Sequence, residues 1–267
     1  MSRINDIFSR LRREQKTALM PFLTGGYPSL EVTGETLPAL ERAGASMVEI
    51  GFPFSDPIAD GPVIAASMHQ ALQHGTTPDA LFDSIAAVRG SLSLGLIAMV
   101  SESIVWRVGT HEFVRRAAEA GFDGLIVPDM DPDDADDLYA AVEERDLSLS
   151  LLIAPTSSDA RIGRLVARCR GFVYLLARVG KTGESREAPK IAAQVQRLRA
   201  MTDLPIAVGF GISTAEHVRA VTEHADAAIV GSALVRRMGE ADDPVAAAES
   251  FVRELATGLS ERTAPRV

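Results

Sequence analysis

The stretch SMVEIGFPFSDPIADGP, residues 46–62, begins as an apolar run and ends as a proline-punctuated loop holding acids. Period-two alternation puts Met47 and Glu49 on one face of a strand and the β-branched Val48 and Ile50 on the other. Near-continuous apolar runs of this kind belong to strands covered on both faces, as in a parallel sheet packed under helices. Seven further runs share the character: TALMPFLTG (17–25), LSLGLIAMV (92–100), DGLIVPD (123–129), LSLSLLIAP (147–155), GFVYLLARV (171–179), LPIAVGFG (204–211) and DAAIVGS (226–232). Between them lie helical patterns such as EFVRRAAEAGF (112–122), DDADDLYAAVEERD (133–146), IAAQVQRLRAM (191–201) and AEHVRAVTEHA (215–225). Eight βα units fit an α/β fold of the (β/α)8 TIM-barrel type. With no linker or low-complexity segment, residues 1–267 read as a single domain. An open doubly wound sheet is the alternative, but no GxGxxG follows the first strand. Two additions are expected. Ile4, Ile7, Phe8 and Leu11 recur at helical spacing and predict an extra N-terminal helix. Residues 61–90 carry two helical patterns, so an extra helix follows the second strand.

Composition narrows the function classes. With 27 Lys plus Arg against 36 Asp plus Glu, the net charge of −9 argues against a nucleic-acid partner. No apolar run approaches the roughly 18 to 20 residues of a membrane span, and INDIFSRLRREQ lacks the apolar centre of a signal peptide. A cytoplasmic location is expected. Cys169 is the only cysteine, so no intrachain disulfide can form, and it reads as an inert packing thiol. His69, His74, His111, His217 and His224 form no HxH or HExxH pattern, and each is expected at a helix surface or end. No metal site is expected. DPDDADD (131–137) reads as an acidic helix N-terminus rather than a calcium loop.

A barrel directs attention to the C-terminal ends of its strands. Glu49 would point inward near such an end, where burial disfavours its charge. The bland reading is an acid paired with a buried Lys or Arg. Asp56 and Asp60 lie just beyond, on a loop stiffened by Pro53, Pro57 and Pro62. That reads as a catalytic loop; the bland alternative is a turn at Asp56 and a helix cap at Asp60. The late loops suggest a phosphate seat. Gly209 and Gly211 permit close backbone approach, while Gly231 and Ser232 open the short helical segment SALVRRM. RVGKTGES (178–185) adds Gly180, Thr182 and Gly183.

VEIGFPFSDPIADGP strongly resembles the signature of the tryptophan synthase alpha subunit family. The resemblance continues collinearly through MPFLTGGYP, IAPTSSDARI, GFVYLLARVGKTG, AVGFGIS and IVGSALV, and covers nearly the whole chain. It implies a barrel lyase that cleaves indole-3-glycerol phosphate to indole and glyceraldehyde 3-phosphate without cofactor or metal. A pyridoxal-phosphate-dependent beta subunit then uses the indole in tryptophan biosynthesis, within an α2β2 tetramer. Carried over by position, Glu49 and Asp60 are the catalytic pair. Phe22 and Tyr174 contact substrate, Gly183, Gly211, Gly231 and Ser232 form the phosphate seat, and Thr182 is a lid-loop residue that bonds the aspartate on closure. Asp56 faces the partner subunit. Two stretches depart from the family pattern: MVSESIVW where a Tyr-Asn-Pro segment is expected, and DMDP, with Asp131, in place of a DLP. The departures, Ser101–Trp106 and Met130–Pro132, put partner contacts in question. Rival readings are a stand-alone indole-3-glycerol-phosphate lyase that releases indole, a barrel enzyme acting on another sugar phosphate, and a catalytically silent barrel that only activates its partner.

Overall fold

The computed structural model describes residues 2–57, 60–177, 183, 188, 190–209 and 211–260. Its strands are β1 (Ala18–Thr24), β2 (Met47–Gly51), β3 (Gly95–Met99), β4 (Gly124–Ile126), β5 (Ser148–Leu149), β6 (Leu152–Ile153), β7 (Val173–Leu176), β8 (Ile206–Gly209) and β9 (Ala227–Val230). The helices are α1 (Arg3–Arg13), α2 (Leu30–Arg42), α3 (Pro62–Gln73), α4 (Pro78–Arg89), α5 (Glu102–Val108), α6 (Thr110–Ala120), α7 (Asp136–Glu144), α8 (Asp159–Arg168), α9 (Ala192–Arg199), α10 (Ala215–Thr222), α11 (Ser232–Glu240) and α12 (Pro244–Ala256). The strands pair in the order β5-β4-β3-β2-β1-β9-β8-β7-β6, and every ladder is parallel.

The run 147–155, expected as one strand, is divided into β5 and β6. Its two halves serve different neighbours: Ser150 N–H donates to Leu125 on the β4 side, and Leu151 C=O accepts from Tyr174 on the β7 side. The two ends of the sheet are therefore consecutive pieces of one segment, and the sheet closes. Its stagger follows from the ladders. Around one half, Ser148 registers through Gly124, Ile97 and Glu49 to Phe22; around the other, Ala18 registers through Ala227, Ala207 and Tyr174 to Leu152. Four residues separate Ala18 from Phe22 and four separate Ser148 from Leu152, so one circuit advances about eight residues, the shear of a TIM barrel.

Inward residues stack in layers contributed by alternate strands. One layer holds Glu49, Ile126, Tyr174 and Ile229, and the layer above it Phe22, Met99, Leu152 and Gly209, as the register requires. The outward set, including Val48, Ile50, Leu96, Leu125, Val173, Val208 and Ala228, packs under the helices. Ile4, Ile7, Phe8 and Leu11 are the buried face of α1 and belong to the barrel-interior cluster, so the N-terminal helix plugs the entrance end. The extra helix is also present, since α3 and α4 both separate β2 from β3.

That entrance end carries two matching clamps. Arg89, the last residue of α4, donates to Leu94 C=O at 2.8 Å and to both oxygens of Asp123. Asp123 Oδ2 accepts from Leu96 N–H at 2.8 Å, and its C=O accepts from Ser148 N–H at 3.0 Å. Arg199, the last residue of α9, donates to Leu204 C=O at 3.0 Å and to Asp226. Asp226 Oδ2 accepts from Ile206 N–H at 2.8 Å, and its C=O accepts from Ala18 N–H at 2.9 Å. Each clamp joins three consecutive strand entrances, and the two lie half a circuit apart.

Cys169 is buried, and burial pushes its thiol up to about 12, as suits an inert packing residue. Asp136 and Asp137 occupy the first turn of α7. His217 lies in the first turn of α10, a helix end as expected, but it is buried, 5% exposed, and its Nδ1 has no hydrogen-bond partner among the described residues.

Candidate active site

At the exit end of the barrel lies a cavity of about 400 Å³. The sequence-predicted residues Phe22, Glu49, Asp56, Asp60, Tyr174, Gly183, Gly211, Gly231 and Ser232 all line it. Thr182 and Gly180 lie outside the described residues. Residues drawn from five strand exits over more than 200 positions of chain thus meet in one space.

Glu49 forms the floor. Strand alternation turns it inward, as expected, and it is 0% exposed. Neither carboxylate oxygen has a hydrogen-bond partner among the described residues, so the expected bland alternative, a buried pair with Lys or Arg, is not found there. Burial pushes its pKa up to about 8. A carboxyl held in this way stays protonated at neutral pH, because ionising it in a dry interior has no compensating donor. Tyr174 rises from the same layer and is buried; burial, then the charges of Glu49 and Asp60, hold its phenol well above the usual value. Gly209 makes room for it, since a β-carbon there would overlap the Tyr174 hydroxyl. Gly51 does the same for Phe22, whose ring Cζ would lie 2.6 Å from an added β-carbon.

The acid loop is rooted by Phe52, which is buried and packs on Phe82 and Phe113 at 5.3 and 5.4 Å between ring centroids. Asp60 is half-buried, and its N–H donates to Pro57 C=O at 3.1 Å. The residue that caps α3 is Gly61 rather than Asp60. Asp56 is exposed at the rim, where Ser55 Oγ donates to it at 3.3 Å. Across the mouth, Gly231 is the N-cap of α11, and Gly231, Ser232 and Ala233 border the cavity. Gly211 has φ +80°, a left-handed conformation that favours glycine. A helix N-terminus beside a glycine turn presents unpaired N–H groups to an anion.

Sequence reasoning missed most of the apolar wall, including Met99, Leu152 and Ile229. Their signal was the inward phase of each run, but the phase says only which face, and the circuit's stagger decides which residues reach the same height. It also missed a latch between two loops. Ser101 Oγ donates to Asp129 Oδ2 at 2.7 Å, and Glu102 N–H donates to Asp129 Oδ1 at 2.9 Å. Ser101 caps α5, whose Trp106 is 82% exposed. Burial, then the charges of Asp129, Asp131 and Asp134, raise the Glu102 pKa.

A sequence model of the family described as "Tryptophan synthase alpha chain" matches residues 8–263. The chain is 46% identical to the tryptophan synthase alpha chain of Synechococcus sp. (strain CC9902), over 93% of this chain and 94% of that one. It is 42% identical to the tryptophan synthase alpha chain of Roseiflexus castenholzii, over 96% and 99%. Among solved structures, Mycobacterium tuberculosis tryptophan synthase superposes with a TM-score of 0.89 at 34% identity, covering 98% of this chain and 99% of that one. The tryptophan synthase subunit alpha of Legionella pneumophila str. Paris gives 0.89 at 32% identity, covering 97% and 98%.

Proposed function

The chain belongs to the tryptophan synthase alpha chain family, whose reaction is the lyase cleavage of indole-3-glycerol phosphate, and we propose that Glu49 and Asp60 carry its proton transfers here. The observation that supports this most directly is Glu49, a buried carboxyl facing the cavity, without a hydrogen-bond partner among the described residues and with its pKa raised to about 8 by burial. Indole leaves as a carbon leaving group only when its C3 is protonated. Glu49 starts as the acid and gives its proton to C3. Positive charge develops on the ring nitrogen, where Asp60 stabilises it and takes the N–H proton. Glu49, now a carboxylate, accepts the proton of the side-chain hydroxyl. The C–C bond breaks, its electron pair restores the aromatic ring, Asp60 returns the proton to nitrogen, and glyceraldehyde 3-phosphate is left. Glu49 ends protonated, ready for another cycle. A group that must both give and accept benefits from a pKa close to the working pH.

In this reading the phosphate lies on the donors of Gly211, Gly231 and Ser232, with Gly183 from the preceding loop, and Thr182 keeps the role the resemblance implies, bonding Asp60 on closure. The indole is placed between Phe22 and Tyr174. Within this reading the whole chain acts as one barrel domain and works in the cytoplasm with no cofactor of its own. Pyridoxal phosphate belongs to a beta subunit, paired as α2β2, toward which Asp56 is directed. The test is release of glyceraldehyde 3-phosphate from indole-3-glycerol phosphate by the purified chain. Glu49→Gln and Asp60→Asn, each correctly folded, are expected to lose about 10²–10⁴ in rate. Near-normal single-turnover cleavage by either variant would remove that residue from the mechanism.

A further inference from the structure

The cavity has two polar ends. One is the seat formed by Gly211 and Gly231–Ala233, on the loops after β8 and β9. The other consists of Ser101 and Asp129, on the loops after β3 and β4. In a closed circuit of eight strands these pairs of loops lie opposite one another across the mouth. The walls between them, Phe22, Met99, Leu152, Tyr174 and Ile229, are mainly apolar. A ligand anchored by its phosphate at one end and carrying its ring across Glu49 therefore directs the far edge of that ring at Asp129.

Asp129 is held for such a contact. Its Oδ2 accepts from Ser101 Oγ at 2.7 Å and its Oδ1 from Glu102 N–H at 2.9 Å. Ser101 is itself fixed, with Ser103 N–H donating to its Oγ at 3.3 Å and the two hydroxyls 2.9 Å apart. Each carboxylate oxygen keeps further acceptor capacity, while the Ser101 hydroxyl is committed. Among the described residues the far end thus offers an acceptor, Asp129, with the Ser101 hydroxyl already donating to it. We infer that Asp129, positioned by Ser101, is a specificity-determining residue that favours indole rings bearing a small hydrogen-bond donor, a hydroxyl or an amino group, on the edge away from the side chain. This rests on the reading of the cavity given above. It assigns a substrate-side role to Ser101, the one residue of the stretch 101–106 that borders the cavity. A donor on the ring gains a charge-assisted hydrogen bond at Asp129, whereas a methyl of similar size at the same position covers the carboxylate and gains none.

The experiment runs the reaction toward condensation. The purified chain is given glyceraldehyde 3-phosphate with indole, 5- or 6-hydroxyindole, or 5- or 6-methylindole, and kcat/KM for product formation is followed by mass spectrometry. In the unaltered chain the hydroxyl compound should exceed its methyl counterpart by about tenfold or more at one of the two ring positions. Asp129→Asn and Ser101→Ala should each reduce that ratio toward one. Comparing variants with the unaltered chain removes the intrinsic reactivity difference between the rings. Ser101→Ala keeps the test decisive if Asp129→Asn unlatches the loops, and circular dichroism establishes that each variant is folded. Equal handling of hydroxyl and methyl rings at both positions, or a ratio that persists in a folded variant, overturns the inference. Failure to condense indole itself would instead overturn the lyase reading and this inference with it.

Discussion

Replacing Glu49 by glutamine should make the protein more stable at neutral pH, although it should stop the reaction. The sign follows from the two proton affinities. A solvated glutamate titrates at 4.5, and burial raises folded Glu49 to about 8. Below pH 4.5 both states hold the proton, and the group contributes no pH dependence. Between 4.5 and about 8 the unfolded chain has released it while the folded chain retains it, so stability falls as pH rises. Above 8 both are ionised, and the full penalty remains. At 1.36 kcal/mol per pH unit the penalty is about 3 kcal/mol at pH 7 and about 5 kcal/mol above pH 8. Glutamine has a similar shape and does not ionise, so it removes the pH-dependent part. Urea denaturation of both proteins at pH 4.5, 7 and 8.5 measures it. The curves should give similar stabilities at pH 4.5 and diverge in favour of Glu49→Gln as pH rises. A difference that stays constant with pH, or favours the unaltered chain at pH 8.5, would refute the assignment of burial as the cause. The same titration should make kcat/KM fall above about pH 8, where the catalytic acid has lost its proton.

Three other outcomes are expected. Gly211→Asp or Gly231→Asp should severely weaken glycerol 3-phosphate binding, because a carboxylate would repel the anion and block the backbone donors; titration calorimetry on the folded variants checks it. Asp56→Ala should spare cleavage by the isolated chain but reduce activation by a cognate beta subunit by roughly 5–150-fold, the usual range of coupling energies, as read from rates with and without that subunit. Arg199→Met should cost about 1–3 kcal/mol by removing the guanidinium that donates to both Leu204 C=O and Asp226. Arg89→Met should cost a similar amount, limited by Arg3 Nε, which remains 3.3 Å from Asp123; chemical denaturation measures both.

Where periodicity alone decided, the fold was legible in the sequence. The alternation at 47–50 turned Glu49 inward, and the spacing of Ile4, Ile7, Phe8 and Leu11 specified α1, because both depend on neighbours within one element. Gly211 and Gly231, read from their places at the ends of late strands, border the cavity, whereas Gly209, read with them, instead makes room for Tyr174. Contacts set by the closed circuit were not. Met99 and Leu152 share a height only because of the stagger, and Ser101 meets Asp129 across 28 residues and two loops. The division of run 147–155 was hidden for the same reason, since it depends on which neighbour each half serves. His217 sits at a helix end, as read, but its burial was not legible, because a helix that sits against a barrel buries one face whatever its polar content.

The paired Arg–Asp clamps have a consequence for how this sequence can change over time. They lie at the strand entrances, half a circuit apart, with the same order of arginine, carbonyl, amide and aspartate. Closure of the barrel is secured there, on the side away from Glu49 and Asp60. Insertions and replacements in the exit loops can accumulate without loosening that frame. The segments 101–106 and 130–132, read from the sequence as departures from the family pattern, lie on that permissive side. A lineage can then revise what its barrel recognises while inheriting unchanged the means by which it stays closed.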